Sequence, residues 1–110
     1  MAKELSGAIK EVRLGTPEVM KAFSATAAAA TGPGVLDAKT KGLIALAIAV
    51  AIRCDGCVAF QAQVAVRYGA TRDEIMETTG MSLYMGAGPS LIYAAQAVEA
   101  FDQLAAAANG

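Results

Sequence analysis

The sequence predicts an all-α fold, a compact single-domain bundle of about five or six helices. Three observations predict it. The chain is 55% hydrophobic but only 5% aromatic, with no Trp, so alanine carries much of the apolar content; such chains favour helices packed at close distance. Gly- and Pro-rich breaks divide the chain into segments of helical length. The opening and closing segments space their apolar residues three and four apart.

Each element follows from these signals. Leu5, Ile9 and Val12 mark a short amphipathic helix over about Lys3 to Leu14, ended by Gly15. Thr16-Pro17-Glu18 then opens a helix to about Ala30, with Thr16 as N-cap, Pro17 at the first helical position and an acid in the first turn. Thr31-Gly32-Pro33-Gly34 breaks the chain. Asp37 is the next N-cap. The run through Ile44, Leu46, Ile48, Val50 and Ile52 alternates like a strand, but alanines fill the gaps and its length favours a helix buried nearly all round. A helix continues past Cys57 through Val58, Val64 and Val66 to Tyr68, stopped by Gly69. Thr71-Arg72-Asp73-Glu74 is a capping box that opens a helix to about Tyr84. Gly86-Ala87-Gly88-Pro89 breaks again, with Pro89 at a first helical position. The last helix carries Leu91, Ala95, Val98, Phe101 and Leu104 on one side.

At 110 residues the chain has room for one domain. A domain of this size buries only about 60–65% of its unfolded surface. A mean hydropathy of +0.45 therefore predicts that apolar side chains are also covered between subunits of a homo-oligomer. The net charge of −1 and the absence of a basic stripe argue against nucleic acid. The apolar run ending at Arg53 is too short to span a membrane, which needs roughly 20 residues. The opening MAKELSGAIKEV lacks an apolar signal region, so the expected location is cytoplasmic.

The only two cysteines stand three apart in Cys54-Asp55-Gly56-Cys57, and there is no histidine anywhere. In a reducing compartment such a pair points to redox or metal chemistry before a structural staple. A redox-active pair, two buried small hydrophobes and a half-filled zinc site are the readings open to it. Zinc would need further ligands from elsewhere, since two Cys leave a tetrahedral site half empty. Met76, Met81 and Met85 read as core or subunit interface rather than a metal box. Asp73, Glu74 and Glu77 read as a capped, solvated first turn, and Tyr84 and Tyr93 as core aromatics. Gly86-Ala87-Gly88 lacks the Lys of a phosphate loop.

LDAKTKGLIALAIAVAIRCDGCVAF followed by GATRDEIMETTGMSLYMGAGPSLIYAAQAVEAF resembles the carboxymuconolactone decarboxylase superfamily, in its Cys-x-x-Cys branch of AhpD-like alkylhydroperoxidases. The resemblance covers about Glu18 to Leu104. It implies an all-helical trimer or hexamer that reduces peroxides with no bound cofactor, drawing electrons from an external dithiol or lipoyl-type reductant. It also implies that Cys57 attacks as thiolate and that Cys54 resolves the sulfenic acid. The family places a Glu twelve residues before the first Cys and a His four residues after the second. Those positions are Gly42 and Gln61 here. Gln61 shares a helix face with both cysteines and can donate a hydrogen bond, but cannot take a proton; its simpler reading is a packed or solvent-facing helix residue. Gly42 is expected to leave space where a carboxylate would point. The candidate helpers that remain are a helix N-terminus at Cys54–Cys57, Arg53, and the hydroxyls of Tyr84 and Tyr93.

The function expected is thus an atypical thiol oxidoreductase, slow for want of a proton relay. The alternative is a non-catalytic helical oligomer that binds a small apolar ligand or a partner beside Gly42. Lactone decarboxylation, after which the superfamily is named, is a weaker third, because that branch lacks the cysteine pair.

Overall fold

The computed structural model describes the backbone of residues 2–109 and the side chains of residues 6–109. Six helices account for most of the described residues: α1 (Ala2–Gly15), α2 (Pro17–Thr31), α3 (Ala38–Ala51), α4 (Asp55–Arg67), α5 (Arg72–Gly86) and α6 (Ser90–Asn109). No strand occurs among the described residues. Helices α1 and α2 belong to one compact unit and α3 to α6 to another.

In the first unit, Leu5 of the predicted apolar stripe lies outside the described side chains, and Ile9 and Val12 are exposed. Helix α2 buries none of its residues. Thr16 precedes it but is not a side-chain cap. Its hydroxyl instead donates to the Val12 carbonyl at 2.7 Å, satisfying the end of α1 rather than the start of α2. Pro17, which has no N–H to satisfy, makes the missing cap cheap.

The second unit is a four-helix core. Leu46 and Val50 of α3, Val58 of α4, Ile75 of α5 and Phe101 of α6 are buried, interleaved with Ala49, Ala65, Ala94 and Ala97. The expectation that α3 is buried nearly all round is corrected. Its core face is Gly42, Leu46, Ala49 and Val50, while Ile44, Ile48 and Ile52 are 45%, 54% and 63% exposed along a stripe four residues apart. The face of α6 also differs from expectation. Ser90, Ala94, Ala97 and Phe101 point inward and Leu91 and Ala95 outward, because small residues let α6 approach α4 closely.

Capping fixes the helix starts. The Asp37 carboxylate accepts from the Thr40 N–H at 2.7 Å, and its hydrogen bonds with Thr40 hold its pKa below the ordinary value. The predicted capping box is present: Thr71 Oγ1 accepts from the Glu74 N–H at 3.1 Å, and Glu74 Oε1 accepts from the Thr71 N–H at 2.8 Å. That backbone donor, with the Lys39 ammonium 2.9 Å from Glu74 Oε2, lowers the pKa of Glu74 and ties α5 to α3. Arg72 grips both carboxylate oxygens of Asp102, at 3.0 and 3.2 Å, and ties α5 to α6.

The α5–α6 turn is the tightest place in the core. A Cβ on Gly86 would overlap Ser90 Oγ and stand 3.1 Å from Ala51 Cα, so only glycine lets the end of α5 lie against the end of α3. Pro89 falls in this turn, one residue before α6 rather than inside it.

Candidate active site

Helix α3 ends in a complete Schellman motif. The Arg53 N–H bonds the Val50 carbonyl and the Cys54 N–H reaches the Ala49 carbonyl, both at 3.1 Å. The motif requires a left-handed residue, and Arg53 supplies it at φ 60°. Cys54 therefore leaves the turn in extended conformation, φ −108° and ψ 100°, as the N-cap of α4. Its sulfur accepts from the Cys57 N–H at 3.3 Å, in the place an N-cap oxygen takes. Asp55, Gly56 and Cys57 form the first turn of α4.

Cys54 and Cys57 are joined as a disulfide, with their Cα atoms 5.2 Å apart. Cys57 is exposed and Cys54 half-buried. This removes the reading of the pair as two buried small hydrophobes. No group of three or more His, Cys, Asp or Glu residues among the described ones could hold a metal ion. Ile52 and Phe60 flank the pair in sequence, and both are exposed.

The other predicted residues separate into near and far. Arg53 is exposed, directly before Cys54, and its side chain makes no hydrogen bond or ion pair with the described residues. Gln61 is half-buried one turn after Cys57. Gly42 is buried, and a Cβ built there would stand 3.4 Å from Val64 Cγ1, so the space expected beside it is taken by Val64 of α4. Tyr84 is 78% exposed rather than a core aromatic, and Tyr93 packs against the core. Neither tyrosine hydroxyl hydrogen-bonds to the cysteine pair. Met76, Met81 and Met85 are exposed on α5, not in the core.

Apolar surface collects instead between α3 and α5. Leu43, Ile44, Ala47, Ile48 and Met81 line an open groove of about 280 Å³. Sequence reasoning missed it by treating α3 as wholly interior; the four-residue spacing of Ile44, Ile48 and Ile52 was the available signal.

The carboxymuconolactone decarboxylase family profile matches residues 17–100. The chain belongs to the carboxymuconolactone decarboxylase family. A crystal structure of a family member from Legionella pneumophila is 50% identical, with a TM-score of 0.89, covering 94% of this chain and 92% of that one. A Thermotoga maritima family member, for which involvement in an antioxidative response has been raised as a possibility, is 32% identical. Its TM-score is 0.76, over 83% of this chain and 95% of that one. An uncharacterised protein of Cupriavidus necator is 43% identical over 88 residues, 80% of this chain and 78% of that protein. No described helix is long and apolar enough to cross a membrane.

Proposed function

We propose that this family member is a dithiol oxidoreductase of the AhpD-like kind, which reduces a peroxide or a partner disulfide with Cys54 and Cys57. The observation that carries the reading is the accessible Cys54–Cys57 disulfide at the start of α4. In the cycle, the reduced pair passes two electrons to a peroxide, giving alcohol, water and the disulfide. An external dithiol, free or lipoyl-type, then restores the pair. A reducing cytoplasm suits such a cycle. The possible antioxidative role of the Thermotoga relative supports the same direction.

The rate is expected to be low. With no histidine in the chain and glycine at the family's Glu position, no side-chain relay serves the thiols. General acid–base help of that kind is typically worth about 10²–10⁴-fold. The same absence of a base disfavours lactone decarboxylation.

Peroxide consumption driven by dithiothreitol tests the proposal. The wild type should turn over slowly but measurably, and the double variant Cys54→Ser/Cys57→Ser should abolish turnover. Equal rates in wild type and the double variant would sink it. A non-catalytic binding role is the second reading, and the α3–α5 groove favours it over the space once expected at Gly42; binding of a small apolar ligand would survive Cys57→Ser unchanged.

A further inference from the structure

We infer that Cys54, not Cys57, carries the stabilised thiolate of this dithiol, and that Arg53 is the residue placed to stabilise it. The inference rests on the dithiol reading above and reverses the roles the family resemblance implies. The family's assignment depends on a histidine four residues after the second cysteine, and that residue is Gln61.

Three observations point the other way. The first is the hydrogen bond. Cys54 Sγ accepts from the Cys57 N–H at the N-cap of α4, where the unpaired donors and dipole of a helix favour negative charge. Cys57 Sγ receives no hydrogen bond from any described residue. The backbone donor survives mutation of the Cys57 side chain, so the cap belongs to Cys54 itself.

The second is the residue in front of it. The chain builds the same Schellman turn twice. After α4 the left-handed position is Gly69 at φ 77°, with its N–H on the Val66 carbonyl and the Ala70 N–H on the Ala65 carbonyl. After α3 it is Arg53, a residue with a Cβ that this backbone disfavours. The turn itself does not need a cation, and Arg53 places one next to Cys54 in the chain. On the helices packed against α4, charges near the pair are few. Asp55 opposes Arg53 on the other side of Cys54. Helix α3 carries only Lys39 and Lys41, in its first turn and about 15 Å of helix rise away. Helix α6 carries only Glu99 at its midpoint and Asp102 beyond it, and Asp102 is held by Arg72.

The third is access. Cys57 is exposed and Cys54 half-buried. A donor thiolate therefore attacks Cys57 Sγ. A new S–S bond forms there, the Cys54–Cys57 bond breaks, and its electron pair leaves on Cys54 Sγ as thiolate. A leaving thiol of lower pKa leaves faster. The donor's second thiolate then attacks its own sulfur in the mixed disulfide, which releases Cys57 to take a proton from water. In the oxidising direction the Cys54 thiolate attacks a peroxide oxygen and becomes sulfenic acid, and the departing alkoxide takes a proton. Cys57 then displaces water from that sulfur and closes the disulfide.

The test is the pH dependence of iodoacetamide alkylation of the single cysteine left in reduced Cys57→Ser and in reduced Cys54→Ser. Cys54 should ionise at least one pKa unit below Cys57, about tenfold more thiolate near neutral pH. In the Cys57→Ser background, Arg53→Gln should raise the Cys54 midpoint and Arg53→Lys should keep it low, a pattern that loss of packing would not give. Equal midpoints, or a lower one for Cys57, would overturn the inference. Should either serine variant fail to fold, reduced wild type labelled with less than one equivalent of iodoacetamide and peptide-mapped decides the same question: label on Cys54 supports the inference and label on Cys57 refutes it. No peroxide is used, so a protein inert to peroxide but labelled on Cys54 would remove the peroxidase reading and leave this one standing.

Discussion

Arg53 concentrates the relation between stability and chemistry in one backbone angle. A non-glycine residue in the left-handed region costs about 1–2 kcal/mol. The twin turn shows that the chain has the cheaper solution available in Gly69. Arg53→Gly should therefore stabilise the oxidised protein by about 1 kcal/mol, because it relieves the Cβ while leaving the Schellman hydrogen bonds in place. Denaturant unfolding checks this, with Arg53→Ala as control: alanine keeps a Cβ and should give no such gain. A loss of stability in Arg53→Gly would mean that the guanidinium contributes packing or charge that outweighs the strain. Gln61 and Gly42 show the opposite case. They stand where the resemblance to AhpD-like proteins puts a proton relay, yet one is an amide that cannot take a proton and the other is closed off by Val64.

Helix α3 is the element on which the most depends. Its inner face seals the core through Leu46 and Val50, and its C-terminal turn delivers Cys54. Its outer stripe of Ile44, Ile48 and Ile52 remains exposed beside Met81 and Met85 of α5. Contiguous apolar surface of this kind marks an interaction site. We propose that a second copy of the chain covers it, in keeping with the high hydrophobic content of so small a protein. Sedimentation should give a mass of several chains, and Ile48→Asp should shift it toward one chain with helix content retained. A wild type that sediments as a single chain would rule this out.

Across the whole molecule, the helices were legible because their punctuation is local. Asp37, the Thr71–Glu74 box, Gly69 and the Gly86–Pro89 break each act within a few residues, and each marks an observed boundary to within one or two positions. What was not legible depends on neighbours far away in sequence. The exposed side of α3 is decided by what α5 leaves uncovered, and the inward face of α6 by how closely Ser90 and Ala94 let it approach. The cysteine pair was legible from spacing alone, whereas the N-cap role of Cys54 and the left-handed Arg53 are products of the turn geometry.

The proposed function stands on this dithiol being oxidised by peroxide without help from a histidine. Stoichiometric peroxide added to the reduced wild-type protein over a pH series, with free thiols and intact mass followed in time, tests it most directly. Loss of two hydrogens per chain is expected, at a rate whose midpoint lies well below the ordinary thiol value of about 8.5. A rate that rises only through that ordinary value, or thiols that persist, would contradict it.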